Sequence, residues 1–165
     1  PETQAGALAA NTLLRVEIHQ ALSKGLPTYA ECGGLMYLSK SLSWKGERFK
    51  MVGAIPGDSV VHRTPVGRGY VRLEATDLSP WPMGDGQSGD VAAHEFHYAS
   101  LENLPANSDF AFRVRRGYGI DGHHDGLIVG NTVATFSHHR NICGNDWVGR
   151  FLGFVRQVRA ERRLA

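Results

Sequence analysis

In the stretch Pro27-Thr28-Tyr29-Ala30-Glu31-Cys32-Gly33-Gly34-Leu35-Met36-Tyr37-Leu38, a thiol stands between a short apolar run and two glycines that open a helical one. A strand that turns sharply at a cysteine and enters a helix is a nucleophile elbow. It sets the sulfur at a helix N-terminus, where unpaired backbone N–H groups and the helix dipole lower a thiol pKa and can hold a developing oxyanion. Cys32 is therefore the candidate nucleophile. The alternative, a small buried hydrophobe, leaves the glycines without a purpose, since they weaken a helix and serve mainly where backbone approaches a ligand.

A cysteine nucleophile needs a base to take its proton and return it to the leaving group. Most of the eight histidines fall in three clusters: His94-Glu95-Phe96-His97-Tyr98, Gly122-His123-His124-Asp125-Gly126 and Thr135-Phe136-Ser137-His138-His139-Arg140. His138 is the preferred base, because it closes the β-branched run Thr132 to Phe136 and a strand end is where an elbow cysteine also emerges. A metal site is the rival use of these side chains. His94 and His97, three apart on a strand, point to opposite faces, and no zinc-motif spacing is present. Asp and Gly beside His123-His124-Asp125 suggest a turn with exposed imidazoles.

These groups must be positioned by surrounding elements. Leu8, Leu13, Leu14, Val16, Ile18, Ala21 and Leu22 predict a helix from Thr3 to Lys24, stopped by Gly25 and Pro27. A strand at 27–30, the elbow and a helix at 33–41 make one βα unit, which suggests a parallel sheet. Short β-rich segments follow at 49–54, 66–75, 91–98, 110–115, 126–129 and 132–137, read as hairpins attached to that sheet. They are separated by turn clusters such as Ile55-Pro56-Gly57-Asp58 and Trp81-Pro82-Met83-Gly84-Asp85-Gly86. A last helix starting near Asn145 presents Trp147, Val148, Phe151, Leu152, Phe154, Val155 and Val158 to the sheet.

With 165 residues, 42% of them hydrophobic, the chain has the material for one domain with a real core. Eighteen basic against 16 acidic residues give a net charge of +2, with arginines clustered at the end of the chain (Arg156, Arg159, Arg162, Arg163), which is no basis for nucleic-acid binding. Two cysteines, Cys32 and Cys143, fit a reducing compartment, hence a cytoplasmic address. No apolar run is long enough to span a membrane, and no signal-peptide layout opens the chain. It begins without Met at Pro1-Glu2, straight into a helix, as if cut from something longer.

The segment from Pro27 to Leu38 resembles the active-site signature of the glutamine amidotransferase domain in the cobyrinate a,c-diamide synthase family. Pro1-Glu2 with Leu8-Ala9-Ala10-Asn11, Gly67-Arg68-Gly69-Tyr70, His94-Glu95-Phe96-His97-Tyr98 and Asp125-Gly126 through Ala134-Thr135-Phe136-Ser137-His138 resemble further family segments. The resemblance covers nearly the whole chain. It implies an α/β, flavodoxin-like class I amidotransferase fold over residues 1–165, N-terminally truncated and carrying β-hairpin additions, with a sheet edge that could invite self-association. It further implies that Cys32 attacks the side-chain amide of glutamine, that His138 moves the proton, and that Gly33 and Gly34 contact oxyanion and substrate. The domain itself needs no cofactor. ATP and Mg²⁺ belong to an N-terminal domain of the full-length family chain, which activates a tetrapyrrole carboxylate that ammonia then converts to an amide. This chain has no Gly-x-x-x-x-Gly-Lys-Ser/Thr loop for that ATP-dependent half.

Two positions depart from the family pattern. Family members commonly carry a second histidine two residues after the first, where this chain has Arg140, with His139 adjacent instead. The base thus lies between His138 and His139. No acid stands two residues after His138, which leaves Glu95 as a candidate orienter and Glu31 and Tyr98 as structural candidates. A silent docking module, or a cysteine hydrolase acting on another amide, are the alternative readings.

Overall fold

The computed structural model describes residues 1–81, 90–142 and 145–164. Cys143 and the turn residues Pro82 to Gly86 lie outside the described residues. A 3₁₀ turn at Glu2–Gln4 leads into α1 (Ala5–Ala10) and α2 (Thr12–Ser23). The single helix expected over 3–24 is therefore interrupted. The break is at Asn11, which leaves helical backbone and caps α2 by accepting the Leu14 N–H on its side chain. Arg15 then turns inward and donates to the carbonyls of Ala9 and Met51, tying α2 to the body of the fold.

The chain continues through β1 (Thr28–Glu31), α3 (Gly33–Leu38), β2 (Ser41–Trp44), β3 (Glu47–Lys50), β4 (Asp58–Val61), β5 (Gly67–Ala75), β6 (Asp90–His97), β7 (Ala99–Glu102), β8 (Asp109–Arg116), β9 (His124–Val129), β10 (Thr132–Thr135), β11 (His138–His139) and α4 (Trp147–Leu164). Seven strands form one sheet in the order β1-β10-β9-β8-β5-β6-β11. The β1–β10 pair is parallel, with Glu31 level with Thr135, and the other described pairs of this sheet are antiparallel. A wholly parallel sheet is thus not what forms. β5 with β6 and β9 with β10 pair antiparallel, an arrangement that does not require the long crossover parallel strands need.

The expected hairpins do not all join this sheet either. β3, β2, β4 and β7 build a separate four-stranded sheet. Leu35, Met36 and Leu38 of α3, Leu42, Met51, Ile55, Leu101, Leu127, Ala134 and Phe136 pack between the two sheets as the main core. Phe136 is fully buried, and a side chain of that size removed from water contributes about 1.5–3 kcal/mol. On the opposite face α4 lays Phe151 and Phe154 against Trp81, at ring separations of 5.0 and 5.4 Å. Its Trp147 packs on Tyr29 of β1 at 4.5 Å. Leu152, expected on that packed face, stays exposed. Among the described residues, no helix is long and apolar enough to cross a membrane.

Candidate active site

The apolar strand β1 delivers its chain end to the elbow. Cys32 adopts φ 48° and ψ −100°, outside the regions open to a side-chain-bearing L-residue. The surroundings hold it there: its N–H donates to the Thr135 carbonyl at 2.7 Å, and its own carbonyl accepts the Met36 N–H in the first turn of α3. Gly33 follows because nothing larger fits, a Cβ at that position standing 2.9 Å from Cδ of Pro1. At Gly34 a Cβ would make only ordinary contact with Ala30.

The thiol does not behave as the helix-terminus expectation has it. Burial pushes the Cys32 thiol up, and the Glu31 and Glu2 carboxylates push the same way, against the lowering effect of the Gly33 N–H. Among the described residues the sulfur makes no hydrogen bond to an imidazole.

The candidate base His138 lies on the chain leaving β10. Asp125 of β9 is completely buried and accepts the N–H groups of Gly126, Phe136 and Ser137 at 2.8, 3.0 and 2.9 Å. It clamps the backbone just before His138 and is no part of an exposed turn, contrary to expectation. Burial drives its carboxyl upward, against those three donors. The His123-His124 side of the turn is the more open part, where Asp121 binds His124 Nδ1 at 3.0 Å.

Past the clamp, β11 pairs with β6, placing His138 opposite His94 and His139 opposite Ala93. Neighbouring side chains of a strand face opposite ways, and the two imidazoles separate accordingly. The ring of His138 stacks on His94 at 4.9 Å, and its Nδ1 lies 2.8 Å from Glu31 Oε1. His139 turns into an aromatic cluster, 5.1 Å from Phe112 and 6.2 Å from Tyr29. Its Nε2 is buried without a hydrogen-bond partner, and burial pushes the ring down to about 4.

Glu31 is thus the carboxylate on the histidine. Its second oxygen accepts the Tyr29 hydroxyl at 2.8 Å and the His139 N–H at 3.1 Å. Burial opposes its ionisation, but the hydrogen bonds from Tyr29, His139 and His138 prevail and hold its carboxyl below the usual range. Burial raises the Tyr29 hydroxyl, so it stays a neutral donor.

Glu95 does not orient His138. It projects from the other face of β6, accepts the N–H groups of Tyr118 and Gly119 at 2.8 and 2.9 Å, and lies 3.6 Å from His97 Nε2. His97 stacks on Phe136 at 4.2 Å. Gly67 runs so close to this pair that a Cβ would collide with His97 Nε2 and the Glu95 carboxylate. As expected, His94 and His97 serve opposite faces. Among the described residues no group of three or more His, Cys, Asp or Glu could hold a metal ion.

A family model for CobB/CobQ-like glutamine amidotransferase domains matches residues 1–143. The chain is 39% identical over 133 residues to a cobyrinate a,c-diamide synthase of Magnetococcus marinus, covering 81% of this chain and 28% of that protein. Against the synthase of Archaeoglobus fulgidus it is 38% identical over 152 residues, covering 92% of this chain and 32% of the relative. The chain thus spans about a third of the length of these curated relatives. The structure of PurLQS from Thermotoga maritima aligns with a TM-score of 0.64 at 14% identity, over 93% of this chain and 72% of that one. A glutamine amidotransferase crystal structure aligns with a TM-score of 0.62 at 17% identity, over 91% of this chain and 72% of that one. The elbow and the histidine strand thus belong to a class I amidotransferase fold, and the chain is a member of the CobB/CobQ-like glutamine amidotransferase domain family.

Proposed function

We propose that this chain is the glutamine-hydrolysing, ammonia-donating part of an ATP-dependent tetrapyrrole side-chain amidase, of the cobyrinate a,c-diamide synthase kind or a related sirohaem amidase. The observation that carries this reading is the strained Cys32 elbow at the end of β1, whose preceding residue Glu31 binds the His138 imidazole. In the reaction the Cys32 thiol gives its proton to His138 as the sulfur bonds to the glutamine amide carbon. The carbonyl oxygen becomes an oxyanion that the Gly33 N–H would receive, a donor worth about 3 kcal/mol in comparable acyl-transfer sites. Collapse breaks the C–N bond, and His138 returns the proton so that ammonia leaves and a thioester remains. Water, deprotonated by His138, then hydrolyses the thioester to glutamate and the free thiol.

His138 fits this shuttle because its ring is partly open, whereas His139 is shut in an aromatic cluster that suppresses its protonation. ATP and Mg²⁺ are proposed for a domain outside this chain, which would also carry the tetrapyrrole acceptor. Glutamate release from glutamine by the full-length polypeptide tests the reading. It should vanish in Cys32→Ala and Cys32→Ser, and His138→Asn should be far more damaging than His139→Asn. Normal turnover in either cysteine variant removes the nucleophile.

A further inference from the structure

We infer that Glu31, the residue immediately before the nucleophile, is the positioning residue for His138 and takes the place of the acid that the sequence lacks after the histidine. This rests on the glutaminase reading. Each carboxylate oxygen has a fixed task. Oε1 meets His138 Nδ1 at 2.8 Å, while Oε2 is held by the Tyr29 hydroxyl and the His139 N–H. Since a carboxylate is acceptor-only, the bond requires the hydrogen on Nδ1 and leaves Nε2 free to exchange a proton with Cys32. The parallel pairing of Glu31 with Thr135 sets the carboxylate level with the strand end from which His138 emerges. Thr135 Oγ1 reinforces that end by donating to the Ser137 carbonyl at 2.6 Å.

The other carboxylates bound to imidazoles or backbone in this half of the sheet are committed elsewhere. Glu95 holds Tyr118 and Gly119, Asp125 clamps the approach to β11, and Asp121 binds His124. Position 140, two beyond the histidine, is an arginine.

Glu31→Gln and Glu31→Ala should differ in effect. The Tyr29 hydroxyl and the His139 N–H both point donors at one oxygen, so the glutamine carbonyl must take that side and its NH₂ must face His138. Nδ1 is then forced to accept, the ring hydrogen moves to Nε2, and the nitrogen needed by the thiol is blocked. Glu31→Ala removes the orienting group without imposing the wrong tautomer. The isosteric variant should therefore be the less active of the two.

In the full-length polypeptide, we expect Glu31→Gln to lower kcat for glutamine hydrolysis by up to about 10⁴-fold, the loss that a wrong histidine tautomer causes in a Ser-His-Asp triad. KM should stay within about threefold. Ring ¹⁵N shifts of His138, with the imidazole neutral, should show hydrogen on Nδ1 in the native protein and on Nε2 in Glu31→Gln. Active native protein with Glu31→Gln turnover within about threefold of it overturns the assignment. Native protein that releases no glutamate defeats the glutaminase reading, and the ring measurement then judges Glu31 alone: Nδ1 still protonated in Glu31→Gln overturns it. Should Glu31→Ala fail to fold, the isosteric variant and the ring shifts decide.

Discussion

At position 32 the ordinary order of alanine and glycine should reverse. Elsewhere glycine destabilises by about 0.5–1 kcal/mol relative to alanine, because its unfolded backbone has more freedom to lose. Cys32 sits at φ 48° and ψ −100°, and a Cβ-bearing residue held in so sparsely populated a region stores about 1–3 kcal/mol. Alanine inherits that strain and glycine escapes it. Both variants remove the sulfur and its packing, so their difference isolates the backbone. Setting the entropy of glycine against the strain of alanine leaves Cys32→Gly the more stable by about 1 kcal/mol at the middle of both ranges, a few degrees in Tm for a chain of this length. Urea unfolding of the two variants side by side measures it, with midpoints compared at equal slopes. An alanine variant as stable as the glycine variant, or more so, would refute the inference that the elbow is strained.

Two further outcomes concern the clamp and the enclosed imidazole. Asp125→Ala should lower stability by about 3 kcal/mol or more, since three buried N–H groups lose their acceptor at about 1–3 kcal/mol each. It should also reduce glutamine turnover by loosening the turn before His138. A loss below about 1 kcal/mol in denaturant titration contradicts the clamp. His139 has its pKa depressed in the fold to about 4, so the unfolded chain binds the extra proton. Its contribution is complete above pH 6.5 and is lost as pH falls toward 4, reaching about 2 kcal/mol at pH 5. Unfolding at pH 7.5 and pH 5 should show this loss in the native protein and not in His139→Phe; equal losses in both contradict it.

What the sequence makes legible is what is local. The strand, the turn at Cys32 and α3 occupy consecutive residues, so the elbow is readable from Pro27 to Leu38. The histidine strand is readable for the same reason. The break at Asn11 also carried a local signal, a side chain suited to capping Thr12 onward, but the apolar spacing on both sides obscured it. The partner of His138 is a different kind of fact. It depends on Glu31 aligning with Thr135 across the β1–β10 pair, and no spacing along the chain encodes that register. Asp125 was hidden likewise: beside His124 and Gly126 it looks like turn chemistry, and only the return of Phe136 and Ser137 to its carboxylate shows it to be interior. At Cys32 the helix N-terminus was weighed without the burial and the flanking acids, which push the same thiol the other way.

The carboxylate and the imidazole it holds are 107 positions apart along the chain, and they meet only where the first and last strands of the larger sheet come together. Such a closure is kinetically late, since ring formation over long stretches of polypeptide precedes the reward of the contact. A partly synthesised or half-assembled molecule would own the sulfur yet be unable to use it. On the proposed glutaminase reading, ammonia release would wait until the domain is whole.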